Sequence, residues 1–298
     1  MSRLILPLPG NETFARLLAA EGGWSMVESE TRRFPDGETY FRILSEVKGH
    51  AVDLVCTLAA PDDQFLRLVF AADTAHRLGA AEVTLVAPYL AYMRQDKVFN
   101  PGEAVTSQTF ARLLSATFDR IVTVDPHLHR YPLLSALYQI PADSLHAAPV
   151  LADWIAANVA APLLIGPDEE SVQWVSGIAS RIGAPFEVLR KTRHGDRSVE
   201  IAMPDLSAHR LRQPVLVDDI ASSGGTLIEA ARQFSAMGLP RPICAVVHAL
   251  FAGDAFALLS EVAARVVSTD TVAHASNAVS VAPLIARHLN TLPLRKES

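Results

Sequence analysis

The densest chemistry in this chain lies in nine consecutive residues, Asp218-Asp219-Ile220-Ala221-Ser222-Ser223-Gly224-Gly225-Thr226. Glycines let a backbone approach a ligand closely. Free N–H groups at a helix start, with the helix dipole behind them, favour an anion. Ser222, Ser223 and Thr226 add hydroxyl donors. The two adjacent carboxylates suit sugar hydroxyls or a hydrated metal ion. The plainer alternative is a strand-to-helix turn in which one Asp and one Thr serve as caps. Paired acids followed by Ser-Ser-Gly-Gly-Thr exceed what capping needs, so the pattern points to a phosphorylated sugar.

Five other stretches are more polar than a connection requires. Arg32-Arg33-Phe34-Pro35-Asp36-Gly37-Glu38 reads, by itself, as an ordinary Pro-Asp-Gly turn. Pro88 to Lys97 combines Arg94, Gln95 and Asp96 with Tyr89 and Tyr92, and Asn100-Pro101-Gly102-Glu103 follows. An adenine needs an apolar or aromatic slot and a few hydrogen-bonding groups, and a polyphosphate needs cations. A solvated loop would contain the same residue types. Asp125-Pro126-His127-Leu128-His129-Arg130 offers two histidines two apart, which is weak metal-ligand spacing. Gly166-Pro167-Asp168-Glu169-Glu170 puts an acid at a strand end. Arg190-Lys191-Thr192-Arg193-His194-Gly195-Asp196-Arg197 is the most basic segment of the chain. It reads either as a solvated hairpin tip or as a cationic flap closing over a polyphosphate.

The elements that must position these loops alternate almost throughout. Short apolar runs at 4–8, 52–58, 83–87, 121–124, 163–165, 186–189, 215–217, 243–248 and 266–267 predict strands. Helical spacing predicts helices from 11, 61, 106, 150, 172, 227, 255 and 281, several stopped by a glycine such as Gly79, Gly183 or Gly238. Residues 199–202 read as a hairpin or edge strand. The apolar run Val215-Leu216-Val217 is expected to end where Asp218 and Asp219 begin. Alternation of this kind predicts α/β architecture with parallel sheets, and ligands then bind beyond the carboxyl ends of the strands. The plan is repeated: strand, Pro-Asp loop, long helix and strand occur at 52–88 and again at 163–189. Two similar domains are therefore expected, 1–147 and 148–279, with a closing helix within 280–298 assigned to the first.

Bulk composition narrows the function. The chain has 298 residues, half of them hydrophobic, with a net charge of −6. Such a chain has no general attraction for nucleic acid or for an anionic membrane, so phosphate recognition must be local. Its two cysteines, Cys56 and Cys244, sit in apolar runs and read as reduced core residues of a cytoplasmic protein. No signal-peptide core and no bilayer-length apolar run is seen. There is no G-x-x-x-x-G-K-[ST], and no G-x-G-x-x-G follows a strand, so ATP binding would have to use scattered loops.

The Asp218–Thr226 stretch resembles the phosphoribosyl pyrophosphate loop shared by type I phosphoribosyltransferases and ribose-phosphate diphosphokinases. The remaining loops resemble the diphosphokinase family, in order and over essentially the whole chain. They are Arg33-Phe34-Pro35-Asp36-Gly37-Glu38, Arg94-Gln95-Asp96 with Pro101-Gly102-Glu103, Asp125 with His127, Pro167-Asp168, Lys191 with Arg193, and Thr269-Asp270-Thr271 with Ser280 to Ile285. The resemblance implies two phosphoribosyltransferase-like domains, each a mostly parallel sheet flanked by helices. It implies transfer of the diphosphoryl group of Mg²⁺-bound ATP to the C1 hydroxyl of ribose 5-phosphate, leaving AMP. It places Lys191 and Arg193 on the transferring group, and Arg94, Gln95 and Asp96 on ATP. Phe34, Asp36 and Glu38 would contact adenine from a neighbouring subunit. His127 and Asp168 would hold Mg²⁺. Asp218 and Asp219 would take the ribose hydroxyls, and Ser222, Ser223, Gly224, Gly225 and Thr226 the 5-phosphate. A shared site implies a homo-oligomer, a dimer or a multiple of dimers.

Ser222 departs from the acid that many members carry there, and the Ser-Gly-Gly form looks closer to archaeal-type members, which puts allosteric control by phosphate or ADP in question. Pro126 and His129 also depart from the usual neighbours of Asp125 and His127. Three other readings compete with this one. A non-catalytic regulatory homologue would lack the flap cations or metal ligands, all of which are present here. A phosphoribosyltransferase would not consume ATP. A metal hydrolase on His127 and His129 has little else in its favour.

Overall fold

The computed structural model describes residues 2–128, 130–168, 171–194 and 198–293; the side chains of residue 173 and of residues 191–201 lie outside the description. The chain forms two compact units. One takes in the residues up to Leu145 and again from Val281; the other runs His146–Ser280.

The first unit begins with β1 (Arg3–Pro7), α1 (Glu12–Gly22) and β2 (Ser25–Met26). The hairpin β3 (Ser29–Arg33) and β4 (Thr39–Ile43) follows. Then come β5 (Ala51–Val55), α2 (Pro61–Arg77), β6 (Glu82–Ala87), α3 (Thr106–Thr117), β7 (Arg120–Val124) and β8 (Ala142–Leu145). Its main sheet is parallel, in the order β2-β1-β5-β6-β7-β8. Every residue of β5 and β6 is buried, as strands covered by helices on both faces must be. The core includes Leu54, Leu85 and Ile121 from the sheet with Leu68, Phe110 and Leu114 from the helices.

One row of this sheet is ionic. Asp53, fully buried in the middle of β5, accepts from the Arg3 guanidinium at 2.6 Å. Burial pushes its carboxyl up to about 7, against the opposing pull of Arg3. Further along the row Arg120 bridges Glu82 at 3.4 Å and Asp143 at 2.8 Å.

The second unit runs α4 (Ala148–Asn158), β9 (Pro162–Gly166), α5 (Val172–Ile182), β10 (Phe186–Val188), β11 (Arg190–His194), β12 (Ser198–Ala202), β13 (Gln213–Ala221), α6 (Gly225–Ala236), β14 (Ile243–Ala249), α7 (Ala255–Val262), β15 (Arg265–Thr269) and β16 (Asn277–Val279). The last helix, α8 (Ala282–Thr291), returns to the first unit, where it packs on α1 and brings His288 within 3.2 Å of Asp143. The second unit's parallel sheet has the order β10-β9-β13-β14-β15-β16. Relative to chain order this is the same arrangement as in the first unit. In both, a two-stranded antiparallel hairpin is inserted between the second and third sheet strands.

Three features depart from the pattern-based expectation. Residues 29–43 form a full hairpin around the Pro-Asp-Gly turn. The short edge strands β2, β8 and β16 carry too few apolar residues to show periodicity. β13 does not stop at Val217 but continues to Ala221, pairing Asp218 with Val246 and Ile220 with His248. The two carboxylates therefore sit inside the carboxyl-terminal end of the strand, held by its ladder, and not in the loop beyond it. Among the described residues, no helix is long and apolar enough to cross a membrane.

Candidate functional site

In the second unit, the anion-binding geometry is built by the junction of β13 and α6. Val215, Leu216 and Val217 are buried, and the strand emerges with Asp218 and Asp219 half-buried. The Asp219 N–H donates to Asp218 Oδ1 at 3.0 Å, which holds the Asp218 carboxylate against the strand backbone. Gly224 then takes φ +68°, a left-handed conformation that costs any L residue with a Cβ roughly 1–2 kcal/mol. This reversal starts α6 at Gly225, with no acidic residue in its first turn. The N–H groups of that turn are the donors that a helix cannot satisfy internally. Leu227, Ala230, Ala231 and Phe234 are buried and anchor the helix beneath the loop.

A second loop holds the β13–α6 loop from the side. The N–H groups of Leu250 and Phe251 donate to Ala221 O at 3.0 and 2.9 Å, and the Ala252 N–H donates to Ser222 O at 3.0 Å. These bonds turn the loop's carbonyls toward the end of β14. The sequence reading overlooked this support and also His248, which is fully buried in β14, its Nδ1 2.9 Å from Thr271 Oγ1. A histidine ending an otherwise apolar strand was the available signal.

Asp168 follows β9. Its Oδ1 accepts from the Ser171 N–H at 3.3 Å, and its carbonyl accepts from Ser171 Oγ. A Cβ at Gly166 would lie 2.2 Å from Ser171 Oγ, so a side chain there would displace that hydroxyl. Lys191 and Arg193 lie on β11, opposite Ile201 and Val199 of β12. Their side chains, and residues 195–197, lie outside the described residues, as do His129, Glu169 and Glu170.

In the first unit, the remaining candidates stand on three connections. Arg94, Gln95 and Asp96 lie in the long loop between β6 and α3, where Arg94 is exposed and the Gln95 carbonyl accepts from the Ser107 N–H at 3.3 Å. Asp96 accepts from Arg130 Nε at 3.3 Å, which joins this loop to the one after β7 that carries His127. Glu103 closes a compact turn by accepting from the Asn100 side chain and from the Phe99 and Asn100 N–H groups; these bonds hold its carboxyl below the usual range. Behind the loop, an apolar cavity of about 430 Å³ is lined by Phe65, Tyr92, Phe110 and Leu113, with Asp62 accepting from the Tyr92 hydroxyl. Phe34, Asp36 and Glu38 occupy the tip of the β3–β4 hairpin. The Phe34 N–H donates to Glu38 O at 2.8 Å, the Glu38 N–H to Asp36 Oδ1 at 3.2 Å, and Gly37 takes φ +93°.

Among the described residues, no three His, Cys, Asp or Glu side chains converge on a cation position. A half-buried carboxylate such as Asp168 fits Mg²⁺ nonetheless, since that ion is held by one or two carboxylates, waters and substrate phosphates. Cys56 and Cys244 are buried and their thiols are pushed up to about 12, so neither is a nucleophile.

Comparison with known proteins agrees with both units. The N-terminal domain of ribose phosphate pyrophosphokinase matches residues 4–117, and the phosphoribosyl transferase domain matches residues 135–284. A ribose-phosphate pyrophosphokinase of Methanopyrus kandleri is 34% identical over 97% of this chain and 99% of its own length. One of Methanosarcina acetivorans is 34% identical over 95% of this chain and 98% of its own. The crystal structure of phosphoribosylpyrophosphate synthetase from Mycobacterium smegmatis has the same fold, with a TM-score of 0.84 over 97% of this chain and 98% of that one, at 24% identity.

Proposed function

This chain belongs to the ribose-phosphate pyrophosphokinase family and is an enzyme of that activity; from this premise we propose the roles of its residues. The reaction moves the diphosphoryl group of ATP to the C1 hydroxyl of ribose 5-phosphate, giving phosphoribosyl pyrophosphate and AMP. Transfer of this kind needs alignment and neutralisation of charge growing on oxygen more than covalent help.

Ribose 5-phosphate binds at the β13–α6 junction. The first-turn N–H groups of α6 and the hydroxyls of Ser222, Ser223 and Thr226 take the 5-phosphate. Gly224 and Gly225 give it close approach to the backbone. Asp218 and Asp219 accept from the ribose hydroxyls and so set the direction of C1. Arg94, Gln95 and Asp96 hold ATP, and Phe34, Asp36 and Glu38 contact its adenine from a neighbouring subunit of a homo-oligomer. His127 and Asp168 hold Mg²⁺, directly or through water; when bound, the ion neutralises phosphate charge. Lys191 and Arg193 donate to the transferring group as charge develops. The enzyme acts in the cytoplasm.

The single observation that carries this reading is the β13–α6 junction, where two carboxylates, a left-handed glycine and a helix start free of acids follow one another. The test is a product assay with Mg²⁺, ATP and ribose 5-phosphate that resolves AMP from ADP. Sugar-dependent AMP is the expected product. ADP would mean transfer of a single phosphoryl group and a wrong reaction class. Binding without any nucleotide product would move the assignment to a non-catalytic homologue.

A further inference from the structure

We propose that Arg32 is a positioning residue for the nucleotide base, clamping the Phe34 ring from one side so that its other side is presented to the adenine. The inference rests on the assignment of Phe34 to the adenine and adds to it a residue outside the resembling motif.

The β3–β4 hairpin has two unlike faces. On one, Ile43 is buried and Phe41 packs against the core, with β4 lying along α2. On the other, Arg32 is the direct cross-strand partner of Tyr40, and Glu30 that of Arg42. Phe34 continues this second face beyond the end of β3. The Arg32 guanidinium lies 4.2 Å from the Tyr40 ring centroid and 4.7 Å from that of Phe34. Glu30 Oε1 approaches Arg32 Nε at 3.6 Å. The two rings meet edge to face, 6.2 Å apart at 89°. Arg32 thus fills the angle between two aromatic rings, with an acid behind it.

The physical consequence is preorganisation. The bond from the Phe34 N–H to Glu38 O fixes the backbone of Phe34, but an exposed ring on a hairpin tip still has rotamers to choose from. A planar guanidinium stacked on it removes that freedom before the ligand arrives, so less is lost on binding. Arginine suits this place, because its delocalised, weakly hydrated cation can lie close to both rings, whereas an ammonium is a compact, strongly hydrated point charge. Arg32 and Tyr40 belong to an outer face, so replacing them leaves the packed face of Phe41 and Ile43 in place.

The experiment measures KM for ATP, KM for ribose 5-phosphate and kcat in Arg32→Met, Phe34→Leu and the double variant, with thermal melts of each. Arg32→Met is expected to raise the ATP KM about fivefold, the scale of one exposed cation–π contact and one fixed rotamer. Its kcat, its ribose 5-phosphate KM and its melting temperature stay as in the parent. Phe34→Leu raises the ATP KM further, and adding Arg32→Met to it has no additional effect. An unchanged ATP KM in Arg32→Met alongside a raised one in Phe34→Leu overturns the clamp and leaves the Phe34 assignment standing. An unchanged ATP KM in Phe34→Leu overturns that assignment itself. Additive effects in the double variant, or a parallel change in kcat and both KM values, show that Arg32 does not act through Phe34.

Discussion

The two units share a strand order and differ where their third sheet strand meets the following helix. In the second unit, β13 passes through Ser222-Ser223-Gly224 into α6, whose first turn has no acid and whose entry residue is a left-handed glycine. In the first unit, β5 passes through Cys56 to Ala60 into α2, which begins with Pro61 followed by Asp62 and Asp63. That proline removes one N–H donor, and the two acids occupy the positive end of the helix. The loop between is also tied inward: Leu58 is buried, its N–H donates to Tyr89 O at 3.0 Å, and the Thr57 N–H donates to Asn11 Oδ1 at 2.7 Å. One helix start therefore lacks a donor and carries two acids, and the other keeps its first turn free of acids. A repeated fold suits an anion only where the residues at the helix start do not oppose it.

The contrast predicts that damage to the second unit will appear in substrate handling and damage to the first unit's sheet in stability. The largest effect is expected for Lys191→Ala on the flap, with kcat lowered about 10²–10³-fold and KM values little changed, as for loss of one transition-state donor. A large rise in KM with normal turnover would remove Lys191 from that role. Next is Asp53→Leu, which strands the Arg3 cation in the core of the first sheet and should cost about 3 kcal/mol in chemical denaturation. The folded fraction should keep its substrate affinities, and an Arg3→Met, Asp53→Leu double variant should recover much of the loss. If the single variant is as stable as the parent, the ion pair is not part of what holds the sheet.

Asp219→Ala should weaken ribose 5-phosphate binding about 10–100-fold, the scale of lost hydrogen bonds to a charged acceptor, with ATP binding largely kept. Equal affinity for the sugar phosphate in calorimetry would take the β13 acids out of the site. A last test is a pH slope. Asp53 titrates near 3.8 when unfolded and is pushed up to about 7 by burial in the folded state. Between these values the folded state holds the extra proton, so this group's contribution to stability falls as pH rises from about 4 through about 7. Denaturation midpoints followed over that range should show the slope in the parent and lack it in Asp53→Leu. A parallel pH dependence of the two proteins would rule out Asp53 as its source.

Much of the candidate site was legible in the sequence because it is local. Asp218 to Thr226 are contiguous, and a glycine-rich turn before an amphipathic helix binds anions for reasons contained in those few residues. The strand and helix alternation was legible for the same reason, as in the largely apolar β6 and in α6 with its buried stripe. What stayed hidden depends on pairing between distant residues. The hairpin at 29–43 reads in sequence as a bare turn because its outward face carries Glu30, Arg32 and Arg42, and only cross-strand register makes Arg32 and Tyr40 neighbours.

By itself the sequence determined the α/β class, the repeat of the plan and the composition of the loop at 218–226, since hydrophobic period and loop composition are properties of neighbouring residues. Only the tertiary structure decided how far β13 runs, which brings Asp218 and Asp219 into the ladder beside β14. It also decided that the carbonyls of Ala221 and Ser222 are held by a loop some thirty residues on, and that Asp53 meets Arg3 across two strands. These contacts join residues far apart in the chain, and their loop-closure cost is met only by burial of the whole sheet and its helices.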